Sequence, residues 1–236
     1  MVYDFDIFSP EKLLKVIEDF KVTSFCAPPT VYRYFIKKDM KKFDLSHLEH
    51  ITTAGEALNP EVFEQVHKQT GLQIMEGFGQ TESVLMLGNL VGSTAKIGSL
   101  GKPTPLYNIM IADNEGNRLP ANEVGEIVVI PSENQHGIFM GYCGNEDLYA
   151  NVWKYGIYHT GDTAYMDDDG YYWYVGRIDD LIKTRGYRVG PFEIENVLME
   201  HPAVMECAVT GIPDKARGQA IKATIHLAKG FDKSKE

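Results

Sequence analysis

The first part of the chain shows apolar residues at helical spacing. Ser9-Pro10 is followed by apolar residues three or four positions apart, which is the spacing of one buried helix face. These residues are Leu13, Val16, Ile17 and Phe20. A serine before a proline is a common helix start, because the hydroxyl caps the first turn and proline fits its backbone angles. The pattern predicts an amphipathic helix from Pro10.

Short apolar runs and further helical patterns then alternate up to about residue 95. Strands are predicted at 22–27, 50–54 and 72–75, with helices through 31–35 and from Asn59-Pro60 to Gly71. This alternation predicts a parallel sheet with helices on both faces. Ligands of such sheets lie at the carboxyl ends of the strands, so the loops after Thr53 and Met75 are candidate site loops.

The pattern changes past Thr94 to glycines, turns and short alternating strands. Strands are predicted at 107–112, 125–130 and 171–175, and they indicate a small antiparallel β-barrel or sandwich. A polar break near Asp179 precedes a strand-like run at 181–189, a helix at 191–200 and strands at 204–211 and 220–227. We therefore predict an α/β protein with three parts: a parallel βα layered subdomain (1–95), a β-barrel subdomain (96–178) and a partial α+β C-terminal domain (179–236).

Composition narrows the class of protein. The 236 residues include 44% hydrophobic residues and carry a formal net charge of −10, which excludes intrinsic disorder as the main state and disfavours nucleic acid as a partner. No apolar run approaches the ~20 residues of a membrane helix, and because the first six residues carry two acids and no basic residue, no signal peptide is expected. Cys26, Cys143 and Cys207 lie far apart, so neither a disulfide framework nor a zinc site is indicated. A cytoplasmic location is expected.

Four segments combine glycines with polar side chains that a core would not satisfy. They are Thr52–Leu58, Glu76–Glu82, Tyr158–Asp162 and Gly176–Glu195. A threonine beside a carboxylate in the second segment suits a phosphate oxygen and Mg²⁺, and the acid of the third could hold a ribose diol. The fourth gathers the basic residues Arg177, Lys183, Arg185 and Arg188.

Each segment alone is also compatible with an ordinary turn or a solvated strand face. Asp167–Gly170 resembles a calcium loop but lacks the ligand spacing, so a hairpin turn is favoured. His47 and His50 have no partner ligands nearby in sequence, and His159 is not expected to act as a base. The four segments in their order favour a ligand site.

Together these motifs resemble the adenylate-forming superfamily, which includes acyl-CoA synthetases, peptide-synthetase adenylation domains and luciferases. The resemblance rests on Thr-Ala-Gly-Glu-Ala-Leu, Gly-Phe-Gly-Gln-Thr-Glu, Gly-Ser-Leu-Gly-Lys-Pro-Thr-Pro at 98–105, Tyr-His-Thr-Gly-Asp and the long run from Gly176 to Glu195. It spans essentially the whole chain. Residues 186–195 and 199–204 are most similar to medium-chain or acetyl-type acyl-CoA synthetases.

The resemblance implies a two-step ligase reaction. A carboxylate attacks the α-phosphate of ATP to give acyl-AMP and pyrophosphate, and the thiol of coenzyme A then displaces AMP. Gly55, Glu56 and Ala57 would line the adenine and acyl pocket. Phe78 would stack on the base, and Glu76 would lie near the adenine amino group.

The resemblance also assigns the polar half of the site. Thr81 would contact the α-phosphate and Glu82 would be the Mg²⁺ ligand. Asp162 and Arg177 would hold the ribose and Arg188 the phosphate, so that Thr81, Glu82 and Arg188 form the catalytic set. Positioning and charge neutralisation carry most of nucleotidyl transfer, which suits a carboxylate and arginines.

Two residues would serve the small C-terminal domain. Asp179 matches the hinge about which that domain rotates between half-reactions, and Gly186 matches the glycine beside the pantetheine arm of coenzyme A. The family's phosphate-gripping loop is expected upstream of Met1 and its adenylation lysine beyond Glu236. Lys229, Lys233 and Lys235 lie in the wrong context to replace that lysine. We therefore expect a fragment truncated at both ends that does not form acyl-CoA alone.

Two alternative functions remain open at this point. The chain could be a non-catalytic or split-protein nucleotide-binding module that needs a partner supplying the missing half; in either class of function, a homo-oligomer is a further possible state. The chain could also be an adenylation domain that loads a carrier protein, although Gly190-Pro191 favours coenzyme A.

Overall fold

The capped helices of the first part form where the sequence predicts them. The computed structural model describes residues 7–133, 137–228 and 230–231. Helix α1 (Pro10–Asp19) begins at Ser9, whose hydroxyl accepts the amide proton of Lys12. Helix α3 (Pro60–Thr70) is capped by Asn59 and ends at Gly71 in the left-handed conformation. These local devices explain why both boundaries were predictable.

Three parallel strands follow the predicted alternation. They are β1 (Ser24–Cys26), β2 (His50–Thr53) and β3 (Ile74–Phe78), with α2 (Pro29–Phe35) between the first two and α3 between the last two. Strand β3 is longer than predicted, because Gly77 and Phe78 pair antiparallel with β4 (Leu87–Gly88). The candidate loop therefore starts after Phe78. Strand β5 (Lys102–Pro103) completes a five-stranded mixed sheet.

The helices of this part share one core. Phe25, Ile51 and Ile74 are cross-strand partners on one face of the sheet, and the apolar residues of all three helices pack around them. The expected coverage of both faces is not met in the part of the chain that the structure describes. The strand order β1-β2-β3 contains no reversal, so right-handed crossovers place α2 and α3 on the same side.

The second sheet is antiparallel but open, so the predicted barrel is corrected to an open sheet. Its order is β10-β9-β7-β6, from β6 (Asn108–Ala112), β7 (Gly125–Ile130), β9 (Ile157–Met166) and β10 (Tyr172–Arg177). The free side of β10 contacts the first sheet instead of β6: Tyr172 exchanges backbone hydrogen bonds with Leu100 and Gly101. Helix α4 (Glu146–Val152) and the short strand β8 (Trp153–Lys154) were not predicted.

The turn at 167–170 closes the hairpin between β9 and β10, as predicted. Asp167 accepts amide protons from Asp169 and Tyr171, and its carboxylate pairs with Lys96. Those bonds and that ion pair lower the pKa of Asp167 to about 2, despite the opposing effect of partial burial. The Asp167 carboxylate therefore stabilises the hairpin turn.

The last part is a four-stranded antiparallel sheet covered by one helix. The run predicted as one strand at 181–189 is a hairpin of β11 (Ile182–Thr184) and β12 (Tyr187–Val189), turning through Arg185 and Gly186 at positive φ. Helix α5 (Pro191–Met199) packs on β13 (Val204–Asp214), which pairs with β14 (Gly218–Leu227). Within the described ranges no helix is long and apolar enough to cross a bilayer. Lys229, Lys233 and Lys235 lie outside the described residues.

Candidate functional site

All four predicted segments contribute residues to one cavity of ≈ 240 Å³. Strands β2 and β3 are parallel neighbours, so the loops that follow them emerge at the same edge of the sheet. Strands β9 and β10 of the second sheet complete the wall with Asp162 and Arg177. The lining residues are Gly55, Glu56, Ala57, Gly77, Phe78, Gly79, Leu100, Asp162, Tyr174 and Arg177. Six of them were named from the sequence.

Gly79 shows why this loop needs glycine. A Cβ atom at Gly79 would lie 2.6 Å from the carbonyl oxygen of Val84, closer than real Cβ contacts allow. The chain can turn back toward β4 only because this side chain is absent. The aromatic ring of Phe78 is thereby held at the cavity wall by a tightly folded backbone.

Asp162 is the buried carboxylate of the cavity, with only 5% of its surface exposed. Its Oδ2 accepts hydrogen bonds from Gln80 Nε2 at 2.5 Å and Arg177 Nη1 at 3.4 Å, and its Oδ1 accepts one from Tyr174 Oη at 3.4 Å. Burial raises the pKa of Asp162 above its ordinary value, although Arg177, Gln80 and Tyr174 act in the opposite direction. The group is a desolvated hydrogen-bond acceptor facing a cavity.

Arg177 ties this wall to the beginning of the C-terminal part. Its guanidinium donates to the carbonyl oxygen of Thr160 at 3.0 Å and to Asp179 Oδ1 at 3.3 Å. Partial burial disfavours its charge, but Asp162 and Asp179 together raise the pKa of Arg177. Asp179 itself is exposed, in the turn between β10 and β11. The cavity thus keeps a cation beside its buried acid.

Glu76 lies beneath the cavity and does not line it. Its Oε1 accepts the amide proton of Leu58 at 2.9 Å, which holds the loop that carries Gly55 and Ala57. Its Oε2 is buried and has no hydrogen-bond partner among the described residues. Burial raises the pKa of Glu76 to about 8. A direct contact of Glu76 with an adenine amino group stays a prediction.

The Glu56 carboxylate bonds two side chains of helix α2. It accepts hydrogen bonds from Thr30 at 2.8 Å and from Arg33 at 3.0 Å. Arg33 was not singled out from the sequence, because nothing in a solvent-facing helix position reveals a partner 23 residues away. The pair steadies the rim of the cavity on the side of the first sheet.

Thr81 and Glu82 follow the cavity residues at the next turn of the loop. Thr81 is exposed, and Glu82 Oε1 accepts a hydrogen bond from Tyr142 Oη at 2.8 Å. In the described part of the chain, no three His, Cys, Asp or Glu side chains cluster to hold a metal. A single carboxylate still fits Mg²⁺, because that ion is commonly held by one or two carboxylates together with substrate phosphates.

Arg188 and Gly186 are not brought to this cavity. Both lie on the exposed β11–β12 hairpin. A neighbouring cavity of ≈ 460 Å³ extends toward the C-terminal part and shares Ala57, Tyr174 and Arg177 with the first. Its far wall is formed by α5 and β13, through residues such as Phe192 and Gly211.

The sequence did not single out Gln80, Tyr158 or Tyr174, which surround Asp162. Gln80 and Tyr158 stand inside the quoted motifs. Their polar side chains within those motifs were the sequence signal that could have identified them. His159, in the same motif as Tyr158, bonds Glu126 Oε2 at 2.7 Å, while Glu126 Oε1 accepts the amide proton of Gly161. His159 therefore holds the Glu126 carboxylate that accepts the amide proton of Gly161.

Comparison with known proteins matches the chain to one family. The sequence model of the AMP-binding enzyme family matches residues 1–143, and that of the AMP-binding enzyme C-terminal domain matches residues 193–236. The mitochondrial acyl-coenzyme A synthetase ACSM3 of Mus musculus is 45% identical over 93% of this chain and 38% of its own length. The 4-hydroxybutyrate–CoA ligase 1 of Metallosphaera sedula is 47% identical over 95% of this chain and 40% of its own length.

Solved structures with the same architecture include one with a bound acyl-adenylate and one with bound ATP. The anthranilate CoA ligase AuaEII in complex with anthranoyl-AMP superposes with a TM-score of 0.87, at 36% identity over 96% of this chain and 43% of its own. ATP-bound MatB from Rhodopseudomonas palustris gives 0.85, at 26% identity over 96% of this chain and 44% of its own. The chain thus spans less than half the length of these relatives. By its sequence and by the cavity that its motifs build, it belongs to the AMP-binding enzyme family.

Proposed function

We propose that this chain is the adenylate-holding part of an ATP-dependent acyl-CoA synthetase, an acid-thiol ligase. The observation that carries the proposal is the cavity that joins Phe78, Asp162 and Arg177 from two different sheets. Relatives at 45% and 47% identity are named as an acyl-coenzyme A synthetase and a CoA ligase. The reaction joins a carboxylate and ATP into acyl-AMP and pyrophosphate, and coenzyme A then takes the acyl group.

The cavity offers a different kind of contact at each of its walls. Phe78 supplies an aromatic ring for the adenine base, and Gly55 and Ala57 bring the backbone close to it. Asp162 accepts hydrogen bonds from the ribose hydroxyls while Arg177 balances its charge. Because Asp162 is already desolvated in the folded chain, its hydrogen bonds to a ligand are stronger than in water.

We assign the phosphates to the loop after Phe78. Thr81 donates its hydroxyl to the α-phosphate, and Glu82 holds Mg²⁺ together with the phosphates. The ion supplies charge neutralisation on the phosphoryl oxygens when it is bound. Tyr142 fixes the Glu82 carboxylate through its 2.8 Å hydrogen bond, so the ligand is aimed before the ion arrives.

The C-terminal part is proposed to move. Its proposed hinge is Asp179, which is exposed and whose carboxylate accepts a 3.3 Å hydrogen bond from Arg177. Rotation about that turn would bring Arg188 to a phosphate and Gly186 to the arm of coenzyme A.

We keep the three proposed parts of the chain at 1–95, 96–178 and 179–236. One buried core lies within residues 14–74 and a second within residues 86–172, which supports the division between the first two parts. We also propose a cytoplasmic location, although ACSM3 carries the word mitochondrial in its name.

Calorimetric titration of the 236-residue chain with AMP tests the proposal. We expect measurable binding, and we expect Asp162→Ala to weaken it by about tenfold or more, since a charged hydrogen-bond acceptor contributes roughly 1.5–3 kcal/mol. Asp19→Ala is the control, because Asp19 is an exposed partner of Lys15 on α1. Equal AMP affinity of the wild-type and Asp162→Ala chains would refute the proposal.

A second candidate is a nucleotide-binding module that acts with a separate partner. It is favoured by aliphatic side chains that stay exposed around β4, namely Val84 (50%), Leu85 (39%), Leu90 (39%) and Val91 (80%). Exposed apolar patches of this kind often mark an interface. Size-exclusion chromatography with light scattering on the purified chain tests this candidate, and a clean monomer with no change on Leu85→Ser and Val91→Ser would remove its support.

A further inference from the structure

Gln80 joins the loop after β3 to strand β9. Its side-chain Nε2 donates to Asp162 Oδ2 at 2.5 Å and to the carbonyl oxygen of Thr160 at 2.9 Å. Its Oε1 accepts a hydrogen bond from Tyr158 Oη at 3.0 Å. The amide therefore uses both of its donors and its acceptor within one network, across a separation of about 80 residues in sequence.

The orientation of this amide is determined by its partners. A carboxylate and a carbonyl oxygen can only accept, so the NH₂ group of Gln80 must face Asp162 and Thr160. Tyr158 is 99% buried, with 1% of its surface exposed, and it supplies the hydroxyl proton on the opposite side. An inverted amide would set its carbonyl oxygen against two acceptors, Asp162 Oδ2 and the Thr160 carbonyl oxygen, which the network excludes.

The network treats the two oxygens of Asp162 differently. Oδ2 receives the short bond from Gln80 and a second bond from Arg177, whereas Oδ1 receives, from the described residues, the 3.4 Å bond of Tyr174 alone. Oδ1 therefore keeps acceptor capacity for a ligand hydroxyl, in a residue that lines the cavity. Fixing Oδ2 also fixes the plane of the carboxylate, and with it the position of Oδ1.

We infer that Gln80 is a positioning residue, which holds the Asp162 carboxylate in the orientation that accepts the 2′,3′-diol of a ribonucleotide. The inference rests on the proposed function, because it takes the cavity as the nucleotide site. Gln80 acts through Asp162, and its influence is confined to ligands that present the diol. It thereby sets the preference of the site for nucleotides with free ribose hydroxyls.

The charge of Asp162 gives a second reason for this arrangement. Burial disfavours the ionised carboxylate, and the Gln80 amide opposes that effect by donating to the charged form. Arg177 and Tyr174 act in the same direction. Without Gln80 the carboxylate would keep, among its bonds to the part of the chain that the structure describes, the two long ones at 3.4 Å.

The test compares AMP with 2′,3′-dideoxy-AMP on the Gln80→Leu chain, which keeps the side-chain shape and removes the hydrogen bonds. We expect AMP affinity to fall by about tenfold and dideoxy-AMP affinity to change by less than about twofold, both measured by calorimetry. Gln65→Leu is the matched control, because Gln65 bonds Glu61 on helix α3 and does not line the cavity. It should leave both affinities unchanged.

Tyr158→Phe is a second variant if Gln80→Leu does not fold. It removes the hydroxyl that fixes Gln80 Oε1, so the same pattern is expected with a smaller loss of about threefold for AMP. Equal losses for AMP and dideoxy-AMP would overturn the inference, as would unchanged AMP affinity of Gln80→Leu. A wild-type chain that binds neither nucleotide would instead overturn the proposed function itself, so the two failures are distinguishable.

Discussion

The two arginines singled out by the sequence, Arg177 and Arg188, lie in contrasting surroundings. Arg177 ends a strand of the second sheet and contacts Thr160, Asp162 and Asp179. Arg188 lies exposed on a hairpin, paired across the strands with Lys183. Arg177 is paired with Asp162 across two neighbouring strands of the second sheet, whereas Arg188 lies on a hairpin apart from that cavity. The motif residues therefore divide into a group that the structure assembles at the cavity and a group that it leaves apart, which we propose is brought there by movement of the C-terminal part.

Two glycines with the same φ of +86° allow the sharpest test of this division. A Cβ atom at Gly101 would lie 2.1 Å from the carbonyl carbon of Gly88, at the junction of the two sheets, whereas one at Gly186 meets nothing within 4 Å. We expect Gly101→Ala to lower the free energy of unfolding by at least about 3 kcal/mol and Gly186→Ala by about 1–2 kcal/mol. Urea unfolding measures both. Equal losses would show that the hairpin is packed as tightly as the junction.

The pH dependence of stability tests whether Glu76 is buried beneath the assembled cavity. Its pKa is raised by burial from 4.5 to about 8, so the folded chain retains this proton where the unfolded chain has released it. This contribution to the free energy of unfolding is therefore present at low pH and is lost as the pH rises from about 4.5 to about 8.

Glu76→Gln removes that titration. The stability of the wild-type chain relative to Glu76→Gln should fall by roughly 2–4 kcal/mol between pH 5 and pH 8, measured by urea unfolding at each pH. Glu64→Gln, at an exposed position of α3, is the control and should follow the wild-type curve. Parallel curves for the wild-type and Glu76→Gln chains would contradict the burial of this group.

The arginines themselves can be compared by nucleotide binding. Arg177→Ala removes the cation beside Asp162 and should weaken AMP binding by about tenfold. Arg188→Ala should change AMP affinity by less than about twofold, because the hairpin lies apart from the cavity in this conformation. A large loss for Arg188→Ala would show that the hairpin already contacts the nucleotide.

The smallest expected effect concerns the hydrogen bond between Asn59, which caps α3, and Asn196 of α5. Asn59 Nδ2 donates to Asn196 Oδ1 at 2.9 Å, and Asn59 also caps α3 by accepting the amide proton of Glu61. Asn59→Ala should cost about 1 kcal/mol of stability through the lost cap, and Asn196→Ala about 0.5 kcal/mol or less. Thermal unfolding of both variants checks this order. A larger loss for Asn196→Ala would mean that the C-terminal part is held firmly in place.

The parts of the fold set by local chemistry were predictable from the sequence. Ser9 and Asn59 cap helices through their own side chains, and the motif loops meet because parallel strands end at a common edge. The open form of the second sheet was not predictable, because the free side of β10 bonds through Tyr172 to Leu100 and Gly101, about 70 residues away. The hairpin at Arg185-Gly186 was hidden because an apolar and basic run continues through the turn.

The candidate site shows the same limit. Asp162, Arg177 and Phe78 could be named because each stands in a motif with a recognisable composition. The partners that hold them depend on register: Gln80 meets Asp162 only because β9 and the loop after β3 come together through the packing of two sheets. The sequence thus identified residues that line the cavity better than the side chains that bond to them.

Hydrogen exchange in the presence and absence of AMP shows whether the assembled cavity is the nucleotide site. We expect AMP to slow exchange of backbone amides at 77–81 and 160–163 and to leave the hairpin at 182–190 unchanged. Protection confined to the hairpin, or no protection at 77–81 and 160–163 at saturating AMP, would show that the nucleotide does not bind in this cavity.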